Sequence, residues 1–284
     1  MRRAAVLGSP VAHSLSPALH AAAYRSLGLD DWSYEAVEVR EADLPAFLDG
    51  LDHSWAGLSL TMPLKRAVLP LLDEVSPLAG RLGVVNTVTF GPAVGDAGSD
   101  PRWTDPGLRT RRGDNTDVAG IVEAVGEVLR AGGPLGPGGL VLLGAGATAL
   151  SALAAARELG LGAATALVRA PARARALVAL GERIGVPVRT APLADASRAA
   201  EGAALVVSTL PAGAADEVRP APAPGAVLLD VVYDPWPTAL AARWERDGGV
   251  IVPGSRMLLH QAVAQVVLMT GRTPDVAAMA AALP

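Results

Sequence analysis

The sequence predicts an α/β protein with two parts: an N-terminal α/β domain, and a Rossmann-like, doubly wound dinucleotide-binding domain. Three observations support this class. Short apolar strands alternate with amphipathic helices along most of the chain. A glycine turn joins a buried strand to a helix at Gly144–Ala149. The 284 residues exceed what one core comfortably fills, and a hydrophobic fraction of 51% is enough for two.

The first part of the chain predicts a mostly parallel sheet, because its strands and helices alternate. Pro17 at the first turn of a helix and Ser16 before it suggest that Ser16 is the N-cap. Residues 91–113 are rich in Gly, Pro and Asp without periodicity, and predict a long surface loop. We expect strands at Ala4–Leu7, Ser33–Val39, Trp55–Leu60 and Val84–Phe90, and helices at Ser16–Leu27, Asp43–Leu51 and Pro77–Arg81.

The second part has the rhythm of a doubly wound sheet, followed by a long amphipathic helix that lies beyond the sheet pattern. We therefore expect domains at 1–116 and 117–252, and helices at 253–284 that return to the first domain. The expected helices are Thr116–Arg130, Thr148–Leu159, Ala172–Ile184 and Ser255–Met269, and the strands are Leu140–Leu143, Ala164–Val168, Val188–Thr190, Leu205–Ser208 and Val227–Val231.

Composition excludes several classes of function. The absence of Cys excludes disulfides, thiolate nucleophiles and Cys-ligated metals, and we expect no metal site. A net charge of −4 without a basic stripe disfavours nucleic acid as a partner. No apolar stretch is long enough for a membrane span. The N-terminal segment is too short for a secretory signal before the first strand, so we expect a cytoplasmic protein.

Lys65 is a candidate for proton transfer on composition alone. Of the 24 Lys and Arg residues it is the only Lys, so every other cationic position uses Arg. Arg stays protonated, whereas Lys can release a proton when its surroundings favour that, although chance survival of one surface Lys is the simpler alternative. Amides are equally scarce, and each should have a specific hydrogen-bonding role: Asn86, Asn115, Gln261 and Gln265.

The turn Gly144-Ala145-Gly146-Ala147-Thr148-Ala149 fits the dinucleotide-binding pattern G-x-G-x-x-A, in which backbone N–H groups and the helix dipole attract phosphates. An acid about twenty residues further on would favour NAD. The chain instead has Arg169 after the next strand, backed by Arg173 and Arg175, and no acid until Glu182. We therefore expect NADP, although Arg is abundant throughout the chain.

Polar side chains cluster at strand and helix ends in the first part of the chain. Ser14 and Ser16 flank a helix start, where hydroxyls and N–H groups can clamp a carboxylate, although Ser16 could simply cap the helix. Thr61 and Lys65 follow a strand, at the sheet edge where ligands collect. Asn86 and Asp117 mark two further ends, and Asp117 could be only a first-turn acid.

Taken together, these segments resemble the shikimate dehydrogenase family along nearly the whole chain. The matching segments, in order, are Ser14-Leu15-Ser16-Pro17 with His20, Thr61-Met62-Pro63-Leu64-Lys65, Val85-Asn86-Thr87, Asn115-Thr116-Asp117, Gly144-Ala145-Gly146, Ser208-Thr209-Leu210-Pro211, Asp230-Val231-Val232-Tyr233, and Gly254-Ser255-Arg256-Met257-Leu258-Leu259-His260-Gln261.

The resemblance implies reversible NADPH-dependent reduction of 3-dehydroshikimate to shikimate, on the route to chorismate and aromatic amino acids, by a monomer or homodimer that binds a small-molecule substrate. It implies a catalytic pair, Lys65 and Asp117. The implied substrate-binding residues are Ser14, Ser16, Thr61, Asn86, Thr116, Tyr233 and Gln261. The implied cofactor-binding residues are Gly144, Ala145, Gly146, Ala147, Thr148, Arg169, Thr209, Leu210, Val231, Gly254 and Met257.

The chain departs from the family pattern at several positions. The family usually carries Asn at position 59, where this chain has Ser, and Asn at positions 21 and 168, where it has Ala and Val. Three alternatives stay open: a quinate/shikimate or aminoshikimate dehydrogenase, a non-catalytic NADP-binding regulator of the same fold, and an enzyme similar to methylenetetrahydrofolate dehydrogenase. By the family resemblance, Ser rather than Thr at position 16 favours shikimate. The complete Lys65 and Asp117 pair disfavours a regulator, and the paired serines with Tyr233 and Gln261 do not suit a pterin.

Overall fold

The computed structural model describes residues 1–91, 110–132 and 135–284, and divides into two compact units. Unit 1 comprises Met1–Thr116 and Gln261–Pro284, and unit 2 comprises Asp117–His260. The second boundary differs from the predicted one at 252/253. It falls inside helix α10 (Gly254–Thr270), because that helix is continuous and contributes residues to both units.

Unit 1 contains a six-stranded sheet with the strand order β2-β1-β3-β5-β6-β4. The strands are β1 (Arg2–Gly8), β2 (Trp32–Glu38), β3 (Trp55–Leu60), β4 (Glu74–Val75), β5 (Thr87–Phe90) and β6 (Arg111–Asp114). The helices are α1 (Ser16–Leu27), α2 (Leu44–Asp49), α3 (Leu64–Ala67), α4 (Pro77–Leu82), the second half of α10, and α11 (Val276–Ala280).

The unit 1 sheet is mixed, so the prediction of a mostly parallel sheet is only partly correct. Strands β1, β2 and β3 are parallel, but β5 runs antiparallel to both β3 and β6. The C-terminal end of the predicted loop, residues 91–113, is not a loop. Arg111–Asp114 forms β6, which lies between β5 and β4 in the sheet. The rest of that loop, residues 92–109, lies outside the described residues.

Unit 2 contains a six-stranded parallel sheet with the order β12-β11-β10-β7-β8-β9. This is the doubly wound order, which reverses between β7 and β10. The strands are β7 (Gly139–Leu143), β8 (Ala164–Val168), β9 (Val188–Pro192), β10 (Ala203–Ser208), β11 (Val227–Asp230) and β12 (Val250–Pro253); the helices are α5 (Asp117–Arg130), α6 (Ala147–Glu158), α7 (Arg175–Ile184), α8 (Ala196–Ala200), α9 (Ala239–Arg246) and the first half of α10.

Each unit has its own apolar core. In unit 1, Leu7 and Leu58 from the sheet pack against Leu64 at the start of α3, and all three are fully buried. In unit 2, Val206 and Leu228 pack with Trp244 of α9, whose indole Nε1 donates to the Val250 carbonyl at 3.1 Å. Burial of such side chains stabilises each unit by roughly 1.5–3 kcal/mol per residue.

Candidate active site

The first site segment in unit 1 is the start of α1. The residue before this helix is Leu15, so the prediction that Ser16 is the N-cap is wrong; Ser16 is the first helical residue. The hydroxyl of Ser14 takes over part of the capping role, since it accepts from the Ser16 backbone N–H at 3.2 Å. Both serine hydroxyls therefore lie at the positive end of a twelve-residue helix, where an anion is stabilised.

His20 supports this helix start from one turn further along. Its Nδ1 donates to the Ser16 carbonyl at 2.9 Å, and its ring stacks on Tyr34 with centroids 3.8 Å apart. The imidazole is fully buried, and burial lowers its pKa from 6.5 to about 4, against the opposing effect of the Ser16 carbonyl. His20 is therefore neutral near pH 7 and holds the Ser16 backbone in place.

Thr61 and Lys65 lie just beyond β3, as predicted. The Thr61 N–H donates to the Leu7 carbonyl at 2.9 Å, which fastens this segment to β1. The segment after β3 can approach the end of β1 closely because residue 8 is Gly. A Cβ at position 8 would lie 2.9 Å from the Met62 carbonyl oxygen. Lys65 is half-buried on the short helix α3, and its carbonyl accepts from the Val85 N–H at 2.9 Å.

Asn86 is the centre of a buried polar cluster in unit 1. Its Oδ1 accepts from the Thr116 backbone N–H at 2.8 Å, and its Nδ2 donates to the Thr116 hydroxyl at 2.9 Å. The Nδ2 also lies 3.4 Å from Gln261 Oε1. A backbone N–H can only donate, so this contact fixes which end of the Asn86 amide is the oxygen. The predicted residues Asn86, Thr116 and Gln261 are thus brought together.

All four scarce amides are buried, with exposures of 1% for Asn86, 3% for Asn115, 6% for Gln261 and 1% for Gln265. Asn115 donates to the Val84 carbonyl at 3.2 Å. Gln265 contacts Ser59 and Thr87. The expectation that each amide has a specific hydrogen-bonding role is therefore confirmed.

The remaining predicted polar residues belong to unit 2. Asp117 is the first residue of α5 and is 2% exposed, so its carboxylate lies at the positive end of that helix. Tyr233 is half-buried in the segment after β11. That segment is anchored by buried Asp230, whose Oδ2 accepts from the Thr238 hydroxyl at 2.7 Å, while Thr238 in turn caps α9. Burial raises the pKa of Asp230 against the opposing effect of the Thr238 bond.

The glycine turn lies between β7 and α6 at the point where the strand order of unit 2 reverses. Gly144 has φ of +103°, which disfavours any side chain, and a Cβ there would lie 2.7 Å from the Thr209 hydroxyl. Gly146 is exposed, and nothing described lies within 4 Å of the position of its Cβ. Ala147 begins α6, so Ala147 and Thr148 belong to the first turn, whose N–H groups lack helical acceptors.

The other predicted cofactor residues also lie at this edge of unit 2. Thr209 follows β10, and both its N–H and its hydroxyl donate to the Leu143 carbonyl, at 2.9 and 3.0 Å. Leu210 comes next, and Arg169 is exposed directly after β8. Gly254 lies against the residue that follows β11: a Cβ at position 254 would clash with the Val231 carbonyl oxygen. Met257 is buried one turn further along α10.

Two polar groups were not assigned from the sequence. In unit 2, Glu127 of α5 accepts from Arg256 Nε at 2.8 Å and lies 2.8 Å from His260 Nε2. The Arg256 contact lowers the pKa of Glu127 to about 2, against the opposing effect of burial. In unit 1, the Tyr34 hydroxyl donates to Ser59 at 2.6 Å. Only the scarcity of amides pointed toward Gln265, the next residue of that second group.

Among residues 1–91, 110–132 and 135–284, no helix is long and apolar enough to cross a membrane. In the same ranges, no group of three His, Asp or Glu side chains is arranged to hold a metal ion.

The fold and these sites define a two-unit α/β oxidoreductase whose unit 2 has a dinucleotide-binding turn. Residues 6–88 match the family model of the shikimate dehydrogenase substrate binding domain, and residues 254–283 match that of the shikimate 5'-dehydrogenase C-terminal domain. The chain is 38% identical over 286 residues to a shikimate dehydrogenase (NADP(+)) of Thermus thermophilus, covering 98% of this chain and 96% of the relative.

Solved structures agree. Shikimate dehydrogenase from Mycobacterium tuberculosis superposes with a TM-score of 0.83 at 42% identity, covering 100% of this chain and 98% of the other. Shikimate 5-dehydrogenase from Thermus thermophilus, in complex with NADP(H) and shikimate, gives a TM-score of 0.79 at 36% identity with the same coverage. The chain belongs to the shikimate dehydrogenase family.

Proposed function

We propose that this chain catalyses the reversible NADPH-dependent reduction of 3-dehydroshikimate to shikimate, a step toward chorismate and the aromatic amino acids. The observation that carries the proposal is full-length similarity to a dehydrogenase whose structure holds both NADP(H) and shikimate. The polar residues of the chain fit that reaction, since hydroxyls, amides and a lone amine suit a small polyhydroxylated acid.

The substrate carboxylate is held at the start of α1. Ser14 and Ser16 offer hydroxyl donors there, and the helix dipole adds a favourable field for the negative charge. The ring hydroxyls are held by Thr61, Asn86, Thr116, Tyr233 and Gln261. Anchoring the carboxylate at one end sets which ring carbon is presented for reaction.

The proton is transferred by Lys65. NADPH supplies the hydride that adds to C3 of the substrate, and the developing alkoxide requires a proton. Lys65 donates that proton in reduction and accepts it in shikimate oxidation, as a general acid and base. Asp117 orients the ammonium or relays its proton. An Arg at position 65 would keep the positive charge but could not take part in the transfer.

The edge of unit 2 suits NADP. Gly146 leaves open space beside the first turn of α6, so a pyrophosphate can approach the N–H groups of Ala147 and Thr148. Gly144 and Ala145 complete that turn. The guanidinium of Arg169 takes the 2′-phosphate. Thr209, Leu210, Val231, Gly254 and Met257 line the remainder of the dinucleotide site.

Further proposals concern specificity and setting. Ser at position 16 favours shikimate over quinate or aminoshikimate. The complete set of Lys65 and Asp117 favours an enzyme over a non-catalytic NADP-binding regulator of the same fold. We also propose a cytoplasmic protein that acts as a monomer or homodimer, with neither nucleic acid nor membrane as a partner.

The test is direct. The protein is mixed with NADP and shikimate, and formation of NADPH is followed by its absorbance. Parallel reactions replace shikimate with quinate, and NADP with NAD. We expect the highest kcat/KM with shikimate and NADP. A higher kcat/KM with quinate would identify a quinate dehydrogenase instead. If neither acid yields NADPH, the protein is better explained as a non-catalytic NADP-binding regulator.

A further inference from the structure

A chain of hydrogen bonds crosses unit 1 behind the Asn86 cluster and depends on one residue, Gln265. Gln265 is 1% exposed on the second half of α10. Its Oε1 accepts from the Ser59 hydroxyl at 2.8 Å. Its Nε2 donates to the Thr87 hydroxyl at 3.2 Å and lies 3.4 Å from the Asn86 carbonyl oxygen. One amide thereby joins α10 to β3 and β5.

The direction of each bond follows from Asn86. The Thr116 backbone N–H can only donate, so the atom it meets is Asn86 Oδ1. The Thr87 hydroxyl donates to the same oxygen at 2.9 Å, which uses its single proton. Its oxygen then accepts from the amide nitrogen of Gln265 at 3.2 Å, and it also lies 3.3 Å from the Thr116 hydroxyl oxygen. The two amide orientations are therefore coupled through one hydroxyl.

The series of hydrogen bonds continues on the other side of Gln265 with the same donor-to-acceptor direction. With Nε2 facing Thr87, Oε1 faces Ser59 and receives its proton. The Ser59 oxygen in turn accepts from the Tyr34 hydroxyl at 2.6 Å. Burial raises the pKa of the Tyr34 hydroxyl, so it remains a protonated donor. If Gln265 turned over, the Ser59 proton would lose Oε1 as its acceptor, and Oε1 would instead face the Asn86 carbonyl oxygen and the Thr87 oxygen, which are both acceptors.

We propose that Gln265 is a positioning residue for the substrate: through Thr87 it fixes the amide of Asn86 so that the Oδ1 edge faces Thr87 and Thr116 and the Nδ2 edge faces Gln261. This inference rests on the proposed function, in which Asn86 binds a ring hydroxyl. A buried, fully satisfied network holds one orientation more strictly than an isolated amide does.

The test compares Gln265→Met with Thr87→Val in steady-state oxidation of shikimate. Met keeps the length of the side chain and removes both hydrogen-bonding ends. Val keeps the shape of Thr and favours a strand, so this variant removes the relay hydroxyl without opening a cavity. The buried amide groups that it leaves unpaired should lower the melting temperature. For each variant we expect the KM for shikimate to rise about 10-fold, the loss of one good hydrogen bond, while the KM for NADP and the kcat change less than about twofold.

A matched control separates positioning from stability. Val266 is fully buried beside Gln265 on α10 and has no polar atom in its side chain. Val266→Ala should lower the melting temperature and leave the KM for shikimate unchanged. The double variant Gln265→Met/Thr87→Val should be no worse than the poorer single variant, because both act on Asn86.

The outcomes distinguish the two proposals. If the wild-type protein oxidises shikimate but both single variants have an unchanged KM for shikimate, the positioning role of Gln265 is overturned and the proposed function is not. Additive effects in the double variant would also overturn it, since they would show that Gln265 does not act through Thr87. Failure of the wild-type protein to oxidise shikimate would instead overturn the proposed function.

Discussion

Buried His20 makes the stability of the protein depend on pH in a specific window. Its pKa is lowered to about 4 in the folded state, mainly by burial, and is near 6.5 when the imidazole is in water. Between these values the unfolded chain binds a proton that the folded chain does not. The free energy of unfolding therefore falls as the pH falls from 6.5 toward 4, and is unaffected well above 6.5.

The size of the effect follows from the two pKa values. A difference of about 2.5 units corresponds to about 3 kcal/mol when the window has been fully crossed. At pH 5 the loss is about 2 kcal/mol, a large share of the stability of an ordinary domain. His20 is fully buried, so solvent screening does not reduce this value.

The assay is urea denaturation at pH 7, 6 and 5, for the wild type and for His20→Gln. The Gln variant cannot titrate in this window, so the difference between the two free-energy profiles isolates the imidazole. We expect the difference to shrink by about 2 kcal/mol from pH 7 to pH 5. Leu19→Val, on the same helix, is the control: it should lower stability equally at each pH. Parallel profiles for the wild type and His20→Gln would refute the reasoning.

Two further variants test the glycine turn and the acidic group on α5. Gly144→Ala places a side chain at φ of +103° and should lower the free energy of unfolding by about 1–3 kcal/mol. It should also weaken NADPH binding, measured by fluorescence. The control is Gly160→Ala, at φ of +82° with open space around it, which should lower stability without weakening that binding. Glu127→Gln removes the negative charge that faces Arg256 and His260. Since Arg256 holds the pKa of Glu127 at about 2, the stability gained from the carboxylate is present above pH 4.5 and is lost as the pH falls toward 2. After allowance for its partial exposure, Glu127→Gln should cost about 1–2 kcal/mol at pH 7, and a cost at pH 3 as large as at pH 7 would contradict this reason.

Strand β12 and helices α8 and α9 of unit 2 were not predicted from the sequence, but the other five strands could be predicted, because most of them are runs of Val, Leu and Ala. Strand β6 could not, because Arg111 and Arg112 are not typical of a strand; it forms because β4 and β5 supply its partners. The antiparallel direction of β5 was missed for a related reason, since local composition does not encode strand direction.

The candidate site also contains residues that the sequence predicts and residues that only the fold reveals. Ser14, Lys65 and Asn86 stand out because each lies in a short segment of unusual composition at a strand or helix end. The role of Gln265 could not be derived from sequence, because its partner Ser59 is 206 positions away and only the fold brings them together. Similarly, nothing local connects Glu127 with Arg256, which is 129 positions further along.

The most direct test of the central claim is the kcat of Lys65→Arg in shikimate oxidation with NADP. Its matched control exchanges the neighbouring exposed cation, Arg66→Lys, and the double variant Lys65→Arg/Arg66→Lys keeps the composition but moves the lone amine by one position. We expect Arg66→Lys to stay within about twofold of the wild type, and both variants without an amine at position 65 to lose about 10²–10⁴-fold in kcat. Near-wild-type turnover by Lys65→Arg would show that this amine does not transfer the proton.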